Sequence, residues 1–512
     1  MTGDANARAD AAAHIDAGHV TLAITVLRQL LDSRVHSDDH EARLLLARAL
    51  LRAGRDREAG EVALAVLEND HVPPATRALA AAVTGHAAAI DNDPSADGLL
   101  EEAMRIEGGL GIASTLAWGA ATVRRYWLGD MEGAVRAATS AVHASAIAPP
   151  VEREDARTVL AAMLMHADRF DEALTVLTSN GSESAEDIPP VAQSLRDRVL
   201  GALHFHAGRW DDAIAVLDSR RDAARGIEIT DHDRALATGL LVVLLVHRDR
   251  LNEADTLLAT GVPLMASGQG ALLLWGAALL AEARGQIAVA ADLADRLASK
   301  LDQLGCPVRY RLVGPDLVRL RLAVGDRVVP MSVAHVLDEV AAIADVPSIT
   351  ASALLSRGLI EHDPAAMQRA CHLLESSPRV LDEALALDAY GTALAQTNTE
   401  AAVAIDRRAR SLYVSLGARR DVRRIDERLR LRGIAPGRPL VETTLIEGYS
   451  ELSPTEAAVA ALVGEGLTNA EIGRRLYVSS RTVETHVAHL FEKLGVKRRA
   501  AIAGLVARSR PD

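Results

Sequence analysis

The chain reads as all-α, in two parts: a long stack of helical hairpins, then a small module of four short helices. Three observations predict this. A short polar turn recurs through the first 430 residues, about 36–41 residues apart, between Ala/Leu-rich runs of helical spacing. Residues 451–507 carry start and stop signals for four more helices. Apolar residues make up 49% of the 512, largely Ala, Leu and Val, enough for a large core, whereas aromatics are only 3%. An aromatic-lined ligand pocket is therefore not expected.

The first eight turns read Ala17-Gly18-His19, Ala53-Gly54-Arg55, Asn92-Asp93-Pro94, Leu128-Gly129-Asp130, Ala167-Asp168-Arg169, Ala207-Gly208-Arg209, Arg248-Asp249-Arg250 and Arg284-Gly285-Gln286. Val324-Gly325-Asp326, His362-Asp363-Pro364 and Thr397-Asn398 complete the series. Several are followed by an acid and then Ala, as in Asp56-Arg57-Glu58-Ala59, Asp171-Glu172-Ala173, Asp211-Asp212-Ala213 and Glu253-Ala254. The small residue lets neighbouring helices approach, and Gly supplies the left-handed turn. Period and signature are close to those of the tetratricopeptide repeat. About eleven hairpins would stack into a right-handed, tetratricopeptide-like solenoid over residues 1–432. Its concave face is expected to grip a peptide or a helix; a spacer or dimer scaffold is the open alternative. The last helix of this arm carries Arg419, Arg420, Arg423, Arg424, Arg428, Arg430 and Arg432. They form either a solvated face or an auxiliary DNA contact. A linker follows at 433–450, where Pro436, Gly437 and Pro439 break any helix and let the two parts reorient.

The terminal module, 451–512, is punctuated helix by helix. Ser453 caps the first, Pro454 suits its first position, and Glu456 closes a capping box. Val459, Leu462 and Val463 give it an apolar face, and Gly464 and Gly466 end it. Thr468 and Glu471 form the second capping box, with Ile472 and Leu476 facing inward. After the turn Tyr477-Val478-Ser479, the third helix runs from the cap Ser479 to about Leu494, where Gly495 stops it. Val483, Val487, Leu490 and Leu494 form its inward stripe. Arg481, Glu484, Thr485 and Ala488 face outward, with His486, His489 and Lys493 at the flanks. A short second helix, a tight turn and a third helix with a polar outer face make the form that enters a DNA major groove. Residues 474–510 hold nine Lys/Arg against two acids in a chain of net charge −13. Such a local basic face neutralises phosphates and makes affinity salt-dependent. The acidic balance of the first 450 residues argues against nucleic-acid binding there.

At these residues the segment resembles the LuxR/GerE-type helix-turn-helix of bacterial transcription factors. The matching strings are L-S-P-T-E, G-L-T-N-A-E-I, L-Y-V-S-S-R-T-V-E-T-H-V and F-E-K-L-G-V-K-R-R-A. The resemblance implies that Glu484, Thr485 and Ala488 lie at base edges. It places Thr482, Lys493 and the start of the second helix, Thr468 and Asn469, near phosphates. Ser479, Ser480, Arg481, His486 and His489 complete the candidate DNA-binding set. The fourth helix, 499–507, would pair two modules. Three positions depart from the family. Thr455 stands where Arg is frequent, removing one framework ion pair. Glu484 and Ala488 stand where a basic residue is frequent, which leaves discrimination to phosphate register, DNA shape and dimer spacing. Arg498 replaces a Ser cap. The hairpin arm, ending in Ser411-Leu412-Tyr413-Val414-Ser415-Leu416-Gly417, resembles the helical arm of the large ATP-binding LuxR regulators. No G-x-x-x-x-G-K-[ST] string occurs, so nucleotide-driven switching is not carried over.

Other chemistry is weakly signalled. Gly108-Gly109-Leu110-Gly111 lacks a following Lys and reads as a connection between hairpins. His204 and His206 are two apart and do not share a helix face, so metal ligation is not expected. Cys306 and Cys371 are isolated and read as reduced thiols. The opening residues are polar, and no long apolar run appears. The reading is a cytoplasmic bacterial regulator with no enzymatic activity, cofactor, metal or membrane contact. Its partners would be double-stranded promoter DNA and a second copy of itself. RNA polymerase, and a signalling protein or small molecule on the solenoid, are further candidates. The competing reading is a repeat-protein adaptor whose C-terminal helices bind a protein.

Overall fold

The computed structural model describes residues 2–32, 39–91, 93–106, 108–178, 190–219, 231–266, 270–434, 452, 454–476 and 480–508. Among them there is no β-strand. The helices pair as hairpins: α1 (Thr2–Asp16) with α2 (Val20–Leu31), α3 (His40–Arg52) with α4 (Asp56–Leu67), and α5 (Pro74–Ile90) with α6 (Ala96–Ile106). The next are α7 (Ile112–Trp127) with α8 (Met131–Ala144), α9 (Pro150–His166) with α10 (Phe170–Thr178), and α11 (Pro190–His206) with α12 (Trp210–Ser219). They continue as α13 (Asp231–His247) with α14 (Leu251–Gly261), α15 (Gly270–Ala283) with α16 (Ile287–Leu304), and α17 (Tyr310–Leu322) with α18 (Val328–Ala344). The last two are α19 (Pro347–Glu361) with α20 (Pro364–Leu374) and α21 (Val380–Leu394) with α22 (Thr399–Leu416), followed by a single helix, α23 (Arg419–Leu431). The expected turns fall between paired helices throughout, although Asn92 lies outside the described residues. The Gly108–Gly111 stretch is the connection from α6 to α7, with Gly108, Gly109 and Gly111 all at positive φ.

The recurring turn is a Schellman motif. At the second hairpin the Gly54 N–H donates to the Leu51 carbonyl (3.0 Å) and the Arg55 N–H to that of Leu50 (2.9 Å). The same pair of bonds closes the turns at Gly18, Gly129, Gly208, Gly285 and Gly325. At two turns the left-handed residue is an aspartate, Asp168 (φ +61°) and Asp249 (φ +65°). Immediately downstream, Ala59, Ala173, Ala213 and Ala254 are each fully buried, as the acid-Ala signature requires.

The stack curls so that its later hairpins rest on the turn ends of earlier ones. These two turn aspartates serve this closure. Asp168 accepts from Arg379 Nε (2.6 Å) and from the Ser348 hydroxyl (3.0 Å), and Asp249 from Arg423 Nη2 (2.7 Å). Between them, the Gly208 turn lies against Val380 and Leu416. Arg311 donates to the His166 carbonyl (2.9 Å), and His247 Nδ1 meets Asp421 at 2.6 Å in full burial. At these three turns the arm is contacted by its own later helices.

The basic helix α23 is only in part the solvated face expected: Arg419, Arg423, Arg424 and Arg430 are exposed, but most of its arginines are also paired within the arm. Arg420 pairs with Glu282, Arg423 with Asp249, Arg424 with Asp388 and Asp421, and Arg428 with Asp388 and Asp406; Arg432 also pairs with Asp406. Arg424, Arg428 and Arg432 answer buried acids of the arm, because Asp388, Asp406 and Asp421 are almost wholly enclosed and need compensation. Burial would raise the Asp421 carboxyl, but His247, Arg424 and Arg420 outweigh it and hold it far below the usual range. Cys306 and Cys371 are both buried free thiols, pushed up by burial to about 11 and about 12. The expected linker, 433–450, lies outside the described residues beyond Ile434.

Candidate nucleic-acid interface

The terminal module consists of α24 (Pro454–Gly464), α25 (Asn469–Leu476), α26 (Ser480–Lys493) and α27 (Arg499–Arg508). Val459, Leu462 and Val463 of α24, Ile472 of α25, Val483, Val487 and Leu490 of α26, and Ile502 and Val506 of α27 form a core of their own. Leu494 packs at its edge. The inward stripe expected of α26 is thus the one observed, and the module's core is drawn from within 452–506. Gly464 lets α24 and α27 close up: a Cβ there would come 2.7 Å from Val506.

Local signals set α25 as expected. The Thr468 N–H donates to Glu471 Oε2 (2.7 Å), and the Glu471 N–H donates to Thr468 Oγ1 (3.3 Å), a reciprocal capping box. The cap expected at Ser453, the turn 477–479 and the side chain of Leu476 lie outside the described residues. Glu456, whose expected capping partner Ser453 lies outside the described residues, has a further task. It is fully buried, and its Oε2 accepts from Lys493 Nζ at 2.6 Å, tying α24 to α26. A framework ion pair thus exists even with Thr455 in place of Arg. Arg499 opens α27 and donates to Asn469 Oδ1 (2.5 Å) and the Leu467 carbonyl (2.7 Å), joining α27 to the start of α25.

The candidate DNA-contacting residues separate into three groups. Thr468, Ser480, Glu484 and Ala488 are exposed. Asn469, Arg481, Thr485 and His489 are half-buried, with Thr485 Oγ1 donating to the Arg481 carbonyl (3.3 Å). Thr482 and His486 are buried, and Lys493 is engaged by Glu456. Ser479 lies outside the described residues. The expected flank position of His486 needs correction. Residues 482, 486, 489 and 493 share one stripe of α26, directly beside the core stripe, and part of that stripe is covered by α12 of the arm.

The covering contact centres on His486 and Asp212. His486 Nε2 lies 3.0 Å from Asp212 Oδ1, with the two side chains 0% and 7% exposed. Burial, more than any charge, pushes the neighbouring His489 down; Asp211 of α12 is among the charges that act on it. His204 of α11 stands behind, buried with neither ring nitrogen hydrogen-bonded and lowered to about 4 by desolvation. Arg481 Nε and Arg209 Nε are likewise enclosed without a hydrogen-bond partner. Asp211 and Asp212 were legible only as repeat framework, since the acid-acid-Ala string marks a hairpin wherever it occurs. Nothing in that string distinguishes this hairpin from the others.

Residues 450–506 match the family model described as bacterial regulatory proteins, luxR family. These terminal helices are a LuxR-family helix-turn-helix domain. Over 61 residues the LuxR-type module is 48% identical to the putative HTH-type transcriptional regulator Rv0890c of Mycobacterium tuberculosis (strain H37Rv), covering 12% of this chain and 7% of that protein. It is 40% identical over 65 residues to the DNA-binding transcriptional activator DevR/DosR of the same strain, covering 12% and 30%. It is 36% identical over 61 residues to the nitrate/nitrite response regulator protein NarL of Escherichia coli K12, covering 12% and 28%. The chain therefore spans less than a tenth of the first relative's length, and the likeness is confined to the module. Over 98% of its length the chain is similar to a solved structure of the APC/C hetero-tetramer Cut9–Hcn1, at 11% identity, 95% coverage of that chain and a TM-score of 0.29. Among the described residues no helix is long and apolar enough to cross a membrane.

Proposed function

We propose that this chain is a DNA-binding transcriptional regulator of the bacterial cytoplasm, non-enzymatic, whose LuxR-type module inserts α26 into the major groove. The observation that carries this reading is the family match of 450–506, together with a self-contained four-helix core that leaves the exposed face of α26 polar. In that role Glu484, Thr485 and Ala488 meet base edges. Ser480, Arg481, Thr468 and Asn469 meet phosphates, and Lys493 adds charge while holding Glu456. Two modules pair through α27, where Ala500 and Gly504 are exposed small residues, and read two half-sites as a homodimer. The arm, 1–432, receives the signal from a protein or small molecule, and 433–450 joins the two parts.

The test is binding of the 440–512 piece to duplex DNA across a salt series. A linear fall of log affinity with log salt supports the reading. No binding at low salt would leave the adaptor reading in its place.

A further inference from the structure

Hairpins of the arm repeat a small electrostatic device. The arginine that opens the second helix pairs with the acid three residues on: Arg55 with Glu58, Arg169 with Glu172, and Arg250 with Glu253. In the last two the acid is 57% and 55% exposed. The sixth hairpin departs from this. Among the described residues Arg209 makes no ion pair with Asp212, its Nε is buried without a hydrogen-bond partner, and Asp212 is only 7% exposed. The acid has been turned to another use, and its partner there is His486 of α26.

Resting on the DNA-binding reading, we propose that the Asp211–Asp212 surface of α12 is an intramolecular seat for α26, and that this seat and duplex DNA are mutually exclusive partners of the same helix. The steric argument is direct. An α-helix with its side chains is about 10–12 Å across, and the major groove is about 12 Å wide. A helix carrying α12 at hydrogen-bond distance on its flank cannot enter. The chemistry matches as well: α12 presents carboxylates to a face whose other partner is a polyanion. Asp211 is held in place by Arg248 Nη2 at 2.6 Å. The closed form, with α26 seated on α12, is thus the one that does not bind DNA, and whatever loosens the sixth hairpin releases the module.

The experiment compares the full chain with the 440–512 piece on a duplex selected by that piece from a random pool. The full chain should bind more weakly, by a factor in the usual allosteric range of roughly 5- to 150-fold. Asp212→Arg should recover most of that gap, since the equivalent acids of other hairpins tolerate solvent. Its far-UV circular dichroism and thermal midpoint report whether the arm is intact. A second measurement is independent of DNA. Diethylpyrocarbonate labelling of His486, read by mass spectrometry, should be slow in the full chain and fast in both the piece and Asp212→Arg. Equal affinity of chain and piece, or equal labelling of His486 in all three, overturns the seat while leaving the DNA reading standing. A piece that binds no duplex takes both down.

Discussion

Asp168 and Arg379 are 211 residues apart in sequence and 2.6 Å apart in the fold, joined where the fifth hairpin's turn receives the start of α21. The aspartate holds a left-handed backbone, which costs a non-glycine residue free energy, and its carboxylate is the reason it is there. Burial would raise that carboxyl; Arg379 and Arg311 outweigh it and hold it below the usual range. Arg379 is 1% exposed and also donates to the Met165 carbonyl at 2.8 Å.

Removing one partner strands the other. Arg379→Leu should destabilise the arm by about 3–5 kcal/mol, the usual cost of an uncompensated buried charge. Adding Asp168→Gly, which removes the carboxylate and suits the positive φ, should restore much of it. Denaturant midpoints of the two single variants and the double variant give the coupling; simple additivity would show that the pair does not close the stack.

Two glycines with nearly the same backbone should behave differently. Gly54 (φ +71°) has open space where a Cβ would go, whereas a Cβ on Gly208 (φ +73°) would meet Leu416 at 2.8 Å and Val380 at 3.2 Å. Gly54→Ala should therefore cost only the backbone strain, about 1 kcal/mol. Gly208→Ala should cost about 1–3 kcal/mol more through overpacking. Equal thermal shifts would mean that α21 and α22 do not rest on the sixth turn.

Lys493→Ala should lower the stability of the LuxR-type module, by about 3 kcal/mol or more, because Glu456 is left buried without its ammonium partner. Lys493→Ala with Glu456→Leu should recover stability but not affinity for arbitrary duplexes. Thermal melts and salt-dependent binding of the 440–512 piece separate the two roles. A variant as stable as the wild type would refute the framework role.

Base preference is the test of the exposed face. Glu484→Ala or Thr485→Ala should alter preference at one position of each half-site, by roughly 1–3 kcal/mol if the contact is direct. Should Glu484→Ala tighten every sequence alike, that carboxylate only repels phosphate.

Acid should weaken the closure of the arm. His166 is half-buried, its Nδ1 accepts from Arg311 Nη2 (3.2 Å), and desolvation together with the charges of Arg311 and Arg379 holds its pKa well below the ordinary value near 6.5. Between that value and the depressed one, the unfolded chain binds more protons, so stability falls as pH drops below about 6.5. Buried His206 is lowered in the same direction by desolvation and then by the charges of Arg379 and Arg311. The thermal midpoint should decline from pH 7.5 to 5.5, and His166→Asn, which keeps an acceptor but cannot be protonated there, should shrink the decline. An unchanged slope would remove His166 from the account.

The sequence by itself determined the local structure. Eleven turns, the acid-Ala signature, the Thr468–Glu471 box and the inward stripe Val483, Val487 and Leu490 were all readable, because each rests on contacts between near neighbours in the chain. The family of the terminal module was readable for the same reason: caps, turns and apolar spacing fall within 60 residues. What only the tertiary structure decided is where polar side chains go once the stack curls. Arg379 finding Asp168, the arginines of α23 finding Asp388, Asp406 and Asp421, and His486 finding Asp212 all join groups that leave no periodic trace, since a single buried ion pair has no spacing to read. A carboxylate on a helix surface looks the same in sequence whether it faces water, a neighbouring arginine or the flank of a DNA-reading helix. Only burial, which distant segments supply, distinguishes them.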